Sequence, residues 1–177
     1  MLGARYVEYI HDELIAEVWA DAGAISAKGC RDFSLLESAV SRPFQTVFGQ
    51  DAYPTILEKS VALFHSLVSN HPFHDGNKRT AVSALYIFLL ANGYYFALPN
   101  GDAYEVAKKA ASYREHGMTH ETLLVELRER LRDSVLPIAS LRDAAKTDPA
   151  FHQTYETARK MRILIRKDRL NLLLASE

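Results

Sequence analysis

Between His71 and Arg79 the chain reads His-Pro-Phe-His-Asp-Gly-Asn-Lys-Arg. This short run holds a base, a hard oxygen ligand, two turn-forming residues and two cations. A neutral imidazole with an ordinary pKa near ~6.5 can accept a proton from a hydroxyl at working pH, which makes His71 the candidate base. Asp75 offers the carboxylate that Mg²⁺ needs, because this ion keeps several waters and is usually held by one or two carboxylates plus substrate phosphates. Gly76 and Asn77 are the residue types that most readily reach positive φ, so consecutive N–H groups there can converge on an anion at the start of a helix. Lys78 adds a compact ammonium and Arg79 a planar fork, both suited to phosphate oxygens. Phe73 is most simply an anchor into the core. Together these parts are what phosphoryl or nucleotidyl transfer requires.

The elements that must position this run are helical almost throughout. Residues 8–22 carry Ile10, Leu14, Val18 and Trp19 at three- and four-residue steps, as an amphipathic helix does. Ser34 to Val40 gives a short helix stopped by Pro43. The stretch between Pro43 and Pro54 leans towards β structure and is bounded by breakers, so it reads as a loop or hairpin flap. From Thr55 to about Val68 a wide apolar face predicts a helix that delivers His71. Thr80 to Ala91 is apolar nearly all round and predicts a central buried helix ended by Gly93. Two more helices are expected over 102–113 and 119–131, the second with Thr119 as N-cap. Composition changes across 134–149, which places a boundary there: a domain over 1–133, then a linker and C-terminal helical extension over 134–177. Asp148 and Pro149 are the N-cap and first residue of that last helix. Its Arg159, Lys160, Arg162, Arg166, Lys167 and Arg169 read as a solvated face, and the Leu170–Leu174 run points to a partner or to self-association rather than to DNA.

The nine-residue run resembles the signature of the Fic/Doc family, His-x-Phe-x-Asp/Glu-Gly/Ala-Asn-Gly/Lys-Arg. Gly29 to Pro43 resembles the segment before the flap in death-on-curing toxins of that family, and so does Asn92-Gly93-Tyr94 after the buried helix. The resemblance covers residues 1 to about 130. It implies an all-α helical bundle around a central buried helix, with a short flap and, in this chain, the helical extension. It also implies ATP and Mg²⁺. In the roles it carries over, His71 is the base and Asp75 holds the metal. Gly76 and Asn77 cradle the transferring phosphate with backbone and amide donors, while Lys78 and Arg79 stabilise developing charge. The flap residues Phe44, Thr46, Phe48 and Tyr53 would dock the target by strand addition.

Within the family, members resembling AMP transferases usually carry Gly where this chain has Lys78, and a second arginine where it has Val82. Both positions favour the Doc-like branch, in which the nucleotide presents its γ-phosphate to a Ser or Thr hydroxyl of a protein, by resemblance a translation factor. Gly76, where Doc-like members can carry Ala, leaves AMP transfer as the alternative. The family's self-inhibitory element ends in Glu followed by Gly or Asn, and no glutamate of this sequence is so followed. The expectation is an antitoxin acting in trans.

Composition sets the remaining bounds. The chain has 177 residues, 48% of them hydrophobic and 24% charged, which is ordinary for a globular domain with a sizeable core. A net charge of −1 argues against bulk nucleic-acid binding. Cys30 is the single cysteine, so no intramolecular disulfide forms and a reducing, cytoplasmic setting is expected. No apolar run approaches the ~18 residues of a membrane span.

Other groups have plainer readings. His74 reads as solvent-exposed, His65 as a packed or groove histidine, His11 as a packing residue and Cys30 as a small loop residue lacking an activating neighbour. A rival enzyme class, the His-Asp metal phosphohydrolases, would use the dipeptides His11-Asp12 and His74-Asp75 with His65 and His71, but leaves Asn77-Lys78-Arg79 unexplained.

Overall fold

The computed structural model describes residues 2–15, 19 and 23–174, the side chains of 164 and 166–174 excepted. The architecture is all-α, with two small two-stranded sheets as its only β structure among the described residues. Helix α1 spans Ala4–Tyr9 and runs directly into a π-helical turn, Ile10–Leu14. The first expected helix therefore starts earlier than residue 8 and is irregular in the middle; Val18 lies outside the described residues. A wider turn of this kind inserts an extra residue into the helical ladder and re-aims the side chains on it. Here it carries His11, which is fully buried.

Helix α2, Phe33–Ser41, is opened by Asp32, whose carboxylate accepts the N–H groups of Ser34 and Leu35. Pro43 does not stop the chain at once but sits in a 3₁₀ turn, Arg42–Phe44, a position that its missing N–H tolerates. The flap follows as a hairpin of β1, Thr46–Val47, and β2, Gln50–Asp51, with Thr46 opposite Asp51. Phe48 and Gly49 both hold positive φ at its tip, as a tight two-residue hairpin demands.

Helix α3, Ile56–Asn70, begins with a full capping box in which Thr55 and Glu58 exchange hydrogen bonds. Helix α4, Asn77–Ala91, is the centre of the molecule: every residue from Thr80 to Leu90 except Tyr86 is buried. Its neighbours α3, the π turn and α5, Asn100–Ala111, sheathe it. With so much apolar surface removed from water, at roughly 1.5–3 kcal/mol per large side chain, α4 is the most firmly held element. It ends at Asn92, and Gly93 follows with φ +88, the left-handed residue that commonly closes a helix.

After β3, Tyr94–Phe96, and α5, helix α6, His120–Arg132, is capped by Thr119, whose hydroxyl accepts the Thr122 N–H. The segment from residue 134 onward does not stand apart from the bundle. Its strand β4, Val135–Pro137, pairs antiparallel with β3, and α7, Ile138–Ala144, leads into α8, Pro149–Leu174. Asp148 receives the Ala150 N–H at 2.9 Å as the cap of α8. Helix α8 packs on α4 and α7, with Ala158 and Ile165 in the core. The side chains of Arg166, Lys167, Arg169 and Leu170 to Leu174 lie outside the description. No helix among the described residues is long and apolar enough to cross a membrane.

Candidate active site

The two longest buried helices meet at the candidate site. Helix α3 ends at His71, which adopts the left-handed conformation at φ 47 and ψ 55. A non-glycine residue stays there only when its surroundings impose it, and such strain concentrates at functional sites. The reversal lets one cavity of about 500 Å³ take its lining from His71, His74 and the whole run Asp75 to Arg79, together with Trp19 and Tyr104.

At the floor of this cavity is the N-terminus of α4. Gly76 is its N-cap residue, and no side chain caps it. The first intrahelical bond is from the Thr80 N–H to the Gly76 carbonyl, 2.8 Å. The N–H groups of the first turn, at Asn77, Lys78 and Arg79, therefore have no carbonyl within the helix and carry the positive end of its dipole. Such an end is a ready anion site when side chains of matching charge surround it. Gly76 holds φ +70, and a Cβ there would lie 2.9 Å from Cγ2 of Ile25 and 3.4 Å from Nε2 of His11. Glycine is thus demanded by backbone and neighbours alike.

The turn between the helices is braced from within. The Asn77 side-chain amide donates to the Phe73 carbonyl at 2.8 Å, and its oxygen accepts the Phe73 N–H at 2.9 Å. Both ends of the Asn77 side chain thus brace the loop, and the second N–H of its amide and its backbone N–H are the donors left over. Phe73 is buried and stacks on the His11 ring, centroids 3.9 Å apart and nearly parallel. His11 Nε2 lies 3.1 Å from the Asp75 carbonyl oxygen, which can only accept, so Nε2 donates. On its other side Nδ1 is 2.6 Å from Asp12 Oδ1, which also accepts the Gly29 N–H at 2.8 Å. His11 packs, as its sequence reading proposed, and in packing it fixes the carbonyl beside Gly76.

A strap over residues 23–31 braces the turn from outside. The Ser26 N–H donates to Asp75 Oδ2 at 3.1 Å, Arg79 Nη1 donates to the Gly23 carbonyl at 2.6 Å, and the Arg31 N–H donates to the Pro72 carbonyl at 2.8 Å. Donation by the Gly76 and Ser26 N–H groups holds the Asp75 carboxyl below its usual range. Asp75 is therefore an ionised carboxylate, 42% exposed, with Arg79 Nη2 at 3.5 Å. Oδ1 accepts only the Gly76 N–H at 2.6 Å among the described contacts, so a lone pair remains for a cation. A single hard carboxylate facing a cavity fits Mg²⁺ held largely by nucleotide oxygens and water.

His71 is half-buried, and burial, followed by the charges of Lys78 and Arg31, holds its pKa below 6.5. It is a neutral imidazole at pH 7, which is the protonation state of a base. His71 also borders a second cavity of about 400 Å³, lined in addition by His65, Ser69, Ala111, Tyr113, Arg114 and His120. His65 is buried, its Nε2 3.1 Å from the Ser69 hydroxyl, and burial, then the neighbouring His120 and Arg42, push its pKa down to about 4. His74 is exposed. Burial pushes the half-buried Cys30 thiol up to about 12, the opposite of nucleophile activation.

The four flap residues line neither of these cavities. Phe44 packs edge-on against Phe88 at 6.4 Å, and the Tyr53 hydroxyl accepts from Arg42 Nε at 3.2 Å, so these two anchor the flap. Thr46 and Phe48 are exposed. Trp19 and Tyr104 also line the cavity, and sequence reasoning does not single them out for it: Trp19 reads as part of the apolar face of the first helix, and Tyr104 lies far along the chain in α5. Among the described residues no three His, Cys, Asp or Glu side chains gather to hold a metal, and a His-Asp phosphohydrolase centre would need such a group.

The Fic/DOC family model matches residues 2–89, the segment that runs from α1 through the braced turn into α4. Over that segment the chain belongs to the Fic/DOC family. A curated relative, Toxin Doc of Mycolicibacterium smegmatis, is 49% identical over 79 residues, which are 43% of this chain and 61% of the relative. The chain thus spans less than two thirds of that relative's length. No solved structure matches the chain. The Fic/DOC segment holds His71, Asp75, Lys78 and Arg79 of the cavity, whereas Tyr104, on the same cavity, comes from beyond it.

Proposed function

We propose that this protein is a Doc-like toxin that transfers the γ-phosphoryl group of ATP to a Ser or Thr hydroxyl of a target protein, a translation factor by family resemblance. The observation that carries this reading is the gathering of His71, Asp75, Lys78 and Arg79 around the uncapped N-terminus of α4 in one cavity. In this reading the first-turn N–H groups of α4 and the Lys78 ammonium receive phosphate oxygens. Arg79, tied by Nη1 to the Gly23 carbonyl and by Nη2 to Asp75, presents its remaining N–H donors at a fixed angle. Mg²⁺ on Asp75 would neutralise developing charge on the phosphates. His71, neutral and bordering both cavities, takes the proton from the acceptor hydroxyl; the Oγ–P bond forms as the bond from phosphorus to the ADP oxygen breaks.

Phosphoryl transfer is favoured over AMP transfer by Lys78 on the cavity wall and by Val82, which is fully buried one turn into α4 and brings no second guanidinium. Gly76 does not weigh against it. The residue is small because its φ of +70 and the contact with Ile25 exclude a Cβ, whichever way the nucleotide enters. The flap would dock the target through the exposed edge around Thr46 and Phe48. An antitoxin binding in trans is the inhibitor this reading expects, and the setting it expects is the cytoplasm.

Incubating a bacterial translation extract with the protein, Mg²⁺ and ATP, beside a His71→Ala control, tests the reading by intact mass. A gain of one phosphoryl group on a single protein, absent from the control, supports it. A gain of one AMP group replaces it with the alternative.

A further inference from the structure

Trp19 and Tyr104 share the cavity with the braced turn, yet no step of the phosphoryl transfer uses them. Their ring centroids are 5.7 Å apart with planes at 57°, so the rings touch and form one aromatic wall rather than a slot. Trp19 is fixed in place because its indole N–H donates to the Ser83 hydroxyl on α4 at 3.1 Å. Tyr104 is fixed through α5, whose Ala103 and Ala107 are buried in the core. Both rings are only partly buried, so aromatic surface is left towards the cavity. A rigid π surface beside an anion-binding helix terminus has the shape of a nucleotide site. Phosphates take one end and a base stacks at the other. About 500 Å³ is ample for such a ligand.

We infer that Trp19 and Tyr104 form the base-stacking wall for the nucleotide whose phosphates lie at Gly76 to Arg79. This rests on the nucleotide reading above and adds where the base lies. The indole N–H is already committed to Ser83, so the wall recognises a base through its face and not through its edge.

The chain contains a single tryptophan, which makes Trp19 a built-in reporter. The full-length protein is titrated with Mg-ATP and, separately, with Mg-tripolyphosphate, which has the phosphates and no base. Binding is followed by calorimetry and by tryptophan emission. Stacking on aromatic side chains predicts that ATP binds on the order of tenfold to a hundredfold tighter than tripolyphosphate, and that only ATP changes the emission. Tyr104→Leu should bring ATP down towards the tripolyphosphate affinity and leave tripolyphosphate itself unchanged, which also reports that the variant is folded. Tyr104→Phe should keep the wild-type affinity for ATP. If ATP and tripolyphosphate bind equally, or ATP binds Tyr104→Leu as it does wild type, the aromatic wall is not the base site and the nucleotide reading stands without it. If neither ligand binds, the nucleotide reading falls and this inference falls with it.

Discussion

The two ends of helix α3 differ sharply. At its N-terminus the hairpin of β1 and β2 is attached by few bonds: Lys59 to Asp51 at 2.8 Å, Arg42 to Tyr53, and the Phe44 ring on Phe88. Val47 and Phe48 are largely or wholly exposed at its tip. At the C-terminus the turn from His71 to Arg79 is held by Asn77, His11, Asp12 and the strap over residues 23–31, and it opens straight into the most buried helix. The contrast fits what the proposed function would ask of each end. Transfer chemistry loses orders of magnitude when reacting groups shift by about an ångström, so the turn must be over-determined. A surface that receives another chain gains from exposed edges that can adapt.

The sharpest way to break that comparison is at the turn itself. His71→Ala should lower target modification by roughly 10²–10⁴-fold, the usual worth of a positioned base. Its melting temperature should stay near wild type, because no described hydrogen bond is lost; retained activity would remove His71 as the base.

Asn77→Ala removes both bonds to the Phe73 backbone and leaves a buried N–H and carbonyl unpaired, which should cost about 1–3 kcal/mol in chemical denaturation. Activity should fall with it, since the turn loosens. If stability drops and activity survives, the bracing serves folding alone.

His65 tests the helix that joins the two ends. Its pKa is about 4 in the folded protein against an ordinary value of 6.5, so the unfolded chain binds the extra proton first. Stability is therefore present above about pH 6.5 and is lost as pH falls towards 4, by about 3 kcal/mol at most. Denaturation at pH 7.5 and 4.5 should show a smaller acid loss in His65→Asn than in wild type. His71, also shifted down, has the same sign, so an activity that needs the neutral ring should persist somewhat below pH 6.5.

The smallest structural effect is expected at the flap. Phe48→Ala should change stability by no more than about 0.5 kcal/mol, as for other exposed positions. It should raise KM for the protein target with kcat little altered; a kcat loss instead would place Phe48 with the chemistry.

Much of the site was legible as sequence because its parts are contiguous. His71, Asp75, Gly76, Lys78 and Arg79 reach one cavity simply by lying on a tight turn between two helices whose apolar patterns were plain. Asn77 shows the limit of reading residue types: its type suggests an amide donor, and only the placement of the Phe73 backbone shows that the side chain also closes the loop. The helix from Thr55 and the buried helix to Ala91 were readable from periodicity and caps. The π turn was not, since a ladder with one extra residue has nearly the same apolar spacing as an ordinary helix over so short a length.

What the sequence by itself determined is the local chemistry: which groups can take a proton, hold a cation or turn the backbone, and where amphipathic helices start and stop. Tertiary structure decided everything that depends on distance in space between residues remote in the chain. It placed His11 under the Asp75 carbonyl, the Gly23–Arg31 strap over the turn, β4 beside β3, and Tyr104 against Trp19 on the cavity wall. Periodicity reports which face of an element is buried, not which distant element buries it, because apolar burial is non-directional. The partners of that burial are set by packing the whole chain at once.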